Sequence, residues 1–193
     1  MAATLLQSQS ELAKTLIKKA FIQLYSKQGI DKITVREICA VSGVSRSAFY
    51  RHFDDKYDIL EQIETELLTN LKQLNSKYNK FFLTEKDRIL PNFAETTQYI
   101  YDNREYFIPL ITIPGDSRFI HRWKLIMQED FFHRLTCDNV LPKENAEILT
   151  FSMSSSLIGM FEYWLTKETE LSPEELALIG TKLLFHSFYH TTI

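Results

Sequence analysis

Apolar residues near the start of the chain recur three and four apart rather than two. Leu12, Leu16, Ala20 and Leu24, with Ile17 and Phe21 beside them, make the stripe of a helix over about 10–28. Gly29 follows, a residue free to end that helix at positive φ. Ile30 and Ile33 then cover the edge of a core. Thr34-Val35-Arg36-Glu37 has the spacing of a capping box: a hydroxyl accepts from the Glu37 N–H while the carboxylate reaches back to the Thr34 N–H. A short second helix is predicted over 35–41. Ser42-Gly43-Val44 reads as a tight turn, Ser45 as a cap, and 46–53 as a third helix. A fourth follows Asp54-Asp55, with the stripe Tyr57, Leu60, Ile63, Leu67, Leu71 and Leu74. It runs to about 78–82, longer than a small domain needs, and so connects two domains.

The later pattern is helical and less regular, with segments near 86–102, 103–112, 117–137, 143–167 and 173–190. Ser172-Pro173-Glu174-Glu175 is a helix start, with an N-cap Ser, Pro at N1 and acid at N3. Pro114-Gly115-Asp116 and Leu141-Pro142 are breaks. Pro91 and Pro109 sit inside apolar patterns, which predicts kinked or late-starting helices there. The fold class is all-α with about nine helices. A first domain covers 1–56, a connecting helix about 56–82, and a helical domain 82–193.

Composition sharpens this in three ways. The 193 residues hold only five Gly and five Pro, too few for a turn-rich β fold. The two cysteines, Cys39 and Cys137, make no disulfide framework and fit a reducing compartment. Cys39 reads as a small buried residue. Residues 1–10 lack a basic segment leading into an apolar run, and no apolar stretch reaches the roughly 18–20 residues of a membrane span. A cytoplasmic location with no membrane partner is expected. The net charge of −3 conceals an asymmetry: residues 1–60 carry nine Lys/Arg against six Asp/Glu, and residues 61–193 thirteen against nineteen. The basic part comes first, which permits nucleic-acid binding there.

Two short helices around a glycine turn, the second rich in Arg, Ser, Tyr and His, are the physical recipe of a helix-turn-helix, whose second helix lies in the major groove. The stretch from about 14 to 63 resembles the TetR family of transcriptional regulators. The match includes Ala20-Phe21 through Gly29, then ITVREIC, GVSRSAFYRHF and KYDIL. Ser42 stands where that family usually has Ala. Ile38, Val44, Phe49 and Phe53 should pack inward, and Ala48 should lie half buried or near the DNA. Arg46, Ser47 and Arg51 should share the exposed face of the third helix. Arg donates two bonds to guanine O6 and N7, so Arg46 and Arg51 lead as base readers, with Ser47 on a base or a phosphate. Tyr50, His52 and Lys56 resemble positions that hold the DNA backbone, Lys56 beside the free N–H groups of the fourth helix. Thr34 and Arg36 are phosphate candidates across the groove.

The resemblance implies a ligand-released homodimeric repressor on a pseudo-palindromic operator in double-stranded DNA. A small-molecule effector would favour a conformation in which the fourth helix swings. Tyr99 through Phe107, Gly115-Asp116 and Phe119 resemble a C-terminal type common in TetR-like regulators of Gram-positive bacteria. Family precedent puts pairing on the last two helices, with apolar faces including Leu157, Met160, Phe161, Trp164, Leu176, Ile179, Leu183 and Phe188. Ser152, Ser154-Ser155-Ser156 and Gly159 would permit close approach, although one ordinary core would use the same residues. Trp123, Met127 and Phe161 are ligand candidates by their apolar and aromatic chemistry. Arg104, His121, Arg122, His133 and Arg134 could bind an anion or simply be surface residues. His186 and His190 stand four apart, a zinc-compatible spacing that would need Cys137, His133 or a partner subunit to complete it. No cofactor is expected. No Gly-rich phosphate loop, nucleophile elbow or metal triad suggests an enzyme. The rival from another class is a co-regulator of the same fold acting by protein contact without DNA. Its eroded third helix is not what Arg46, Tyr50, Arg51 and Lys56 present.

Overall fold

The computed structural model describes residues 2–76, 86–113, 117–137, 141–167 and 169–189, with side chains over 9–76, 90–113, 117–136, 141–167 and 169–184. Regular structure among them is entirely helical: α1 (Ala2–Lys32), α2 (Val35–Ser42), α3 (Arg46–Phe49), α4 (Lys56–Ser76), α5 (Lys86–Asp102), α6 (Arg104–Thr112), α7 (Arg118–Cys137), α8 (Lys143–Thr166) and α9 (Pro173–Tyr189). The chain divides into two compact units, Met1–Leu67 and Leu68–Ile193, with the boundary inside α4.

In the first unit α1 packs on α2 and α3. Its buried face is Ile17, Ala20, Phe21 and Tyr25, the last two rings stacked at 5.7 Å. The expected stripe through Leu12 and Leu16 is therefore corrected, since these are 59% and 40% exposed. The buried positions of α1 begin at Ile17, past Leu12 and Leu16. Ile33, Ile38, Phe49, Phe53, Ile59 and Ile63 complete this core, while Val44 and Ala48 are half buried. The α4 stripe holds from Leu60 to Leu71, but Tyr57 at its start is exposed. At Gly29 the backbone leaves the helix, with φ 70° and ψ 169°, so Ile30 to Lys32 form a separate turn. A Cβ at Gly29 would touch nothing, so what the position requires is the backbone angle and not the space.

In the second unit α5 lies along α9 and α7 along α8, with α6 against both α7 and α8. The core is aromatic. Phe107 meets Phe119 at 5.7 Å and Trp123 at 5.3 Å, and Trp123 stacks on Phe161 at 5.4 Å. Truncating a fully buried ring such as Phe107 to Ala costs about 3–5 kcal/mol. Pro91 and Pro109 do not delay their helices. Each lies a turn or more inside, and α5 and α6 begin at Lys86 and Arg104. Ser172 caps α9 with Glu175 as its reciprocal partner: Glu175 N–H donates to Ser172 Oγ at 3.2 Å and Ser172 N–H to the carboxylate at 2.9 Å.

The faces expected for pairing need correction. Leu157, Phe161, Trp164 and Leu176 are buried in the unit's own core, and Met160 is half buried. The large apolar residues that remain exposed are Ile148, Phe151 and Tyr163 on α8 and Leu178, Ile179 and Leu183 on α9. Between them on α8 lie Ser152, Ser156 and Gly159, also exposed. Of the residues expected on those faces, Ile179 and Leu183 thus keep exposed surface, while Leu157, Phe161, Trp164 and Leu176 are taken up by the unit's own core. The Phe188 side chain lies outside the described residues.

Candidate nucleic-acid interface

The helix-turn-helix is built by two N-caps and one glycine. Thr34 Oγ1 accepts from the Glu37 N–H at 3.2 Å and donates to Glu37 Oε2 at 2.7 Å, while the Thr34 N–H donates to the same carboxylate at 2.8 Å. These bonds hold the Glu37 carboxyl below its ordinary value, with Gln28 and the positive charge of Lys56 adding smaller pulls. Gly43 ends α2 at φ 69° and ψ 10°, and Ser42 Oγ accepts from the Val44 N–H at 3.3 Å, bracing the turn. Ser45 Oγ accepts from the Ala48 N–H at 3.2 Å and starts α3. Cys39, half buried beside this turn, has its thiol pushed up by burial, with a weaker opposite pull from Arg46.

The third helix is shorter than the pattern suggests. Regular α-helix ends at Phe49, where 53 was expected, and residues 50–52 continue as turn. The Tyr50 N–H still bonds Arg46 O at 3.1 Å, and the Phe53 N–H bonds Phe49 O at 3.0 Å. Phe49 and Phe53, both essentially inaccessible, anchor the segment from beneath. Arg46, Ser47, Tyr50 and Arg51 are all exposed. Tyr50 sets its ring edge-on to Phe49 at 5.2 Å while remaining 54% exposed, so packing fixes its direction without hiding it. Among the described residues no ion pair or hydrogen bond holds the Arg46 or Arg51 guanidinium.

The other candidates are more committed. Lys56 Nζ donates to the main-chain oxygens of Asp31 and Ile33, each at 3.0 Å, and so ties the start of α4 to the end of α1. Thr34 spends its one hydroxyl proton on Glu37, whereas Arg36 is exposed. His52 is half buried, and its main-chain oxygen accepts from Gln62 at 3.4 Å. The free N–H groups expected at the start of α4 are not free. Asp55 Oδ1 accepts from the N–H of Tyr57 at 2.8 Å and of Asp58 at 2.9 Å. Asp58 in turn accepts from the Asp54 N–H at 3.0 Å. An approaching phosphate meets these carboxylates there, so any Lys56 contact must come from its ammonium alone. Sequence reading missed this because it treated Asp54-Asp55 as a boundary and not as a cap, although Asp is among the residues preferred at an N-cap.

The second unit encloses a cavity of about 30 Å³. Trp123, Met127 and Phe161 all lie on its wall, which brings the three ligand candidates together. So does Arg134, which is buried, unlike exposed Arg104, His121 and His133 and half-buried Arg122. Its spacing four residues after Asp130 was the available signal. A separate open cleft of about 500 Å³ is bordered by Tyr101, Arg104, Trp164 and the loop leading into α9. His190 and the side chains of His186 and Cys137 lie outside the described residues. Among the described residues no group of three potential metal ligands occurs, and no helix is long and apolar enough to cross a membrane.

A capped pair of short helices turned by a left-handed glycine, followed by an aromatic helical unit, defines a helix-turn-helix protein of two units. Residues 17–63 match the family described as bacterial regulatory proteins, tetR family, and residues 87–186 match a transcriptional regulator C-terminal region, which alone takes in more than half of the chain. The chain belongs to the TetR family of transcriptional regulators. It is 23% identical over 168 residues to the uncharacterized HTH-type regulator YxbF of Bacillus subtilis, covering 86% of this chain and 43% of that one. It is 32% identical over 82 residues to the HTH-type regulator AcrR of Shigella flexneri, covering 42% and 38%. The matched stretches thus span less than half of these relatives' lengths. Among solved structures, NalD of Pseudomonas aeruginosa, the secondary repressor of the MexAB-OprM multidrug efflux pump, superposes with a TM-score of 0.72 at 18% identity, covering 94% of this chain and 99% of that one. A TetR-family regulator from Syntrophomonas wolfei gives 0.72 at 17%, covering 94% and 97%. These similarities establish the fold.

Proposed function

We propose that this protein is a sequence-specific DNA-binding repressor that works in the cytoplasm as a homodimer and releases its operator when a small molecule binds the second unit. The observation that carries the reading is the exposed face of Arg46, Ser47, Tyr50 and Arg51, anchored by buried Phe49 and Phe53 and bounded by capped helix ends. Arg46 and Arg51 read guanine edges. Ser47 takes a base or a phosphate. Tyr50, His52 and Arg36 hold the backbone, and Lys56 contributes with what its ammonium keeps beyond two carbonyl bonds. Thr34 can add only acceptor capacity unless its hydroxyl turns from Glu37.

We assign pairing to the exposed α8 and α9 face, where Ile148, Phe151, Ile179 and Leu183 leave much of their apolar surface open to solvent. A two-fold axis there would present two third helices, which an operator accepts when they are about 34–36 Å apart. The internal cavity is the effector site. Leu71 and Asn75 of α4 are on its wall, and Lys56 begins the same helix. A coupling of about 1–3 kcal/mol through that helix would change DNA affinity roughly 5–150-fold. Repression is the behaviour named for NalD and is carried over from such relatives.

The test is binding to the DNA flanking the protein's own gene across a salt series. A complex that prefers sequence and weakens steeply with salt is expected, because phosphate contacts release counterions. A protein that forms no such complex is not a DNA-binding repressor.

A further inference from the structure

The effector reading leaves the effector's chemistry open, and the cavity wall speaks to it. We propose that the cavity binds a small amphipathic monocarboxylate, with the carboxylate at Arg134 and the apolar body against the rings of Phe93, Phe161 and Trp123; this rests on the effector reading above.

The Arg134 side chain is 4% exposed and lines a cavity whose other polar residues are Asn75, Asn92, Thr96 and Asp130. Burying a guanidinium costs several kcal/mol of desolvation, and an apolar residue of similar volume commonly packs there at no loss of stability. A charge kept in such a place suits recognition better than packing. Nη2 bonds Asp130 Oδ2 at 2.6 Å and the Asn75 main-chain oxygen at 3.2 Å, which together orient the guanidinium plane. A planar fork of this kind matches a carboxylate in two parallel bonds.

Asp130 also borders the cavity, so a cationic ligand is the competing reading. Depth decides against it: the Asp130 side chain is 20% exposed, five times the value for Arg134, and the charge set deepest is positive. The nearby acceptors are engaged as well. The Thr96 hydroxyl lies 3.3 Å from Asn75 Oδ1 and 3.1 Å from the main-chain oxygen of Asn92. Asp130 Oδ2 and one of the two Thr96 acceptors are thus already engaged at the polar end of the cavity, which favours an acceptor head group there.

The other end selects an apolar body. Phe93 stacks on Phe161 at 5.9 Å with planes 15° apart, and Trp123 stacks on Phe161 at 5.4 Å and 18°. The present space of about 30 Å³ holds one or two waters. It admits a carboxylate head, and an apolar tail must part the rings. Phe93 is the ring with a defined neighbour to disturb. It sits flush on Gly180 of α9, where any Cβ would collide with it. Displacing Phe93 therefore moves pressure onto the helix whose outer side carries Ile179 and Leu183, which connects ligand entry to subunit pairing.

The experiment is calorimetric titration of the full chain, without DNA, with octanoate, 1-octanol and octylammonium below their micellar concentrations. Octanoate is expected to bind about tenfold tighter than octanol or better, the size of one charge-assisted bond, and octylammonium weakest. Arg134→Gln should erase that preference and leave octanol unchanged. Arg104→Gln, in the open cleft, should change neither. Gly180→Ala, which drives the Phe93 ring toward the cavity, should weaken octanoate and octanol alike. Equal affinities for the three head groups, no binding of any, or tighter octylammonium would each overturn the proposal. So would an octanoate preference that survives Arg134→Gln or disappears with Arg104→Gln. If Arg134→Gln does not fold, the head-group order on the native chain and the Arg104→Gln result decide. The outcome separates from that of the repressor reading: a chain that binds operator DNA but not octanoate loses only this inference, and one that binds octanoate but no DNA loses only the other.

Discussion

Lys56 serves two purposes in one ammonium. It holds the carbonyls of Asp31 and Ile33, and the phosphate contact proposed above would draw on the same group. Lys56→Ala should therefore lower the melting temperature and weaken binding to every DNA sequence alike, with a shallower salt dependence. An unchanged melting temperature would contradict the structural half of this account. Arg46 and Arg51 differ in kind, being exposed and held by no bond among the described residues. Replacing either with Ala should cost about 1–3 kcal/mol on the cognate site and relax the preference at one base position, while stability stays put. Competition binding with single-base operator variants checks it, and intact specificity in both variants would remove them as base readers. Glu37 supplies a pH dependence. Its carboxyl is held below its ordinary 4.5 by the Thr34 hydroxyl and N–H. A lowered folded value means that the contribution is fully present above the unfolded value and is lost as pH falls through the folded one. Native protein should thus melt above Glu37→Gln at neutral pH, and the gap should close as the solution is taken below about 4.5; a gap that is constant with pH would count against the capping account.

Helices were readable from the sequence where local chemistry decides them. Thr34 with Glu37, Gly43, Ser45, and Ser172 with Glu175 mark ends by side chain or by backbone angle, and the observed ends follow them. Which face a helix buries was less readable. Leu12 and Leu16 continue the α1 stripe in sequence but lie exposed, because burial depends on where a partner stops. The last turn of α3 is similar: Phe53 packs as expected while the backbone around it loosens into turn. Arg134 was hidden among candidate surface charges, since a basic residue on a helix does not announce its own burial. Ser45→Ala should cost about 1 kcal/mol, the worth of one N-cap, read by denaturant unfolding. Gly180→Ala should cost about 1–3 kcal/mol, because the added Cβ overlaps the Phe93 ring and must shift it from its stack on Phe161. A neutral result would mean that α5 and α9 separate more easily than their packing implies.

At the scale of the molecule, the pairing proposal depends on a face that the subunit leaves uncovered. Phe151 is 58% exposed, with Lys124 Nζ 3.9 Å from its ring centre. Phe151→Glu should leave a folded monomer in sedimentation and weaken operator binding sharply, since one third helix alone reads half a site; a dimer that persists would place the interface elsewhere. The serines on this helix carry a consequence of their own. Ser152, Ser155 and Ser156 each donate to a main-chain oxygen one turn back, on Ile148, Phe151 and Ser152. Their protons are spent inside the helix, so the strip between Ile148 and Tyr163 asks a neighbour for no matching acceptor. Such a strip is permissive toward a sibling regulator of similar shape, because no hydroxyl is stranded when the wrong chain arrives. In a cell with several such siblings, fidelity of assembly would fall to the contours of Ile148, Phe151 and Tyr163, and mixed dimers bearing two different third helices would be the characteristic error.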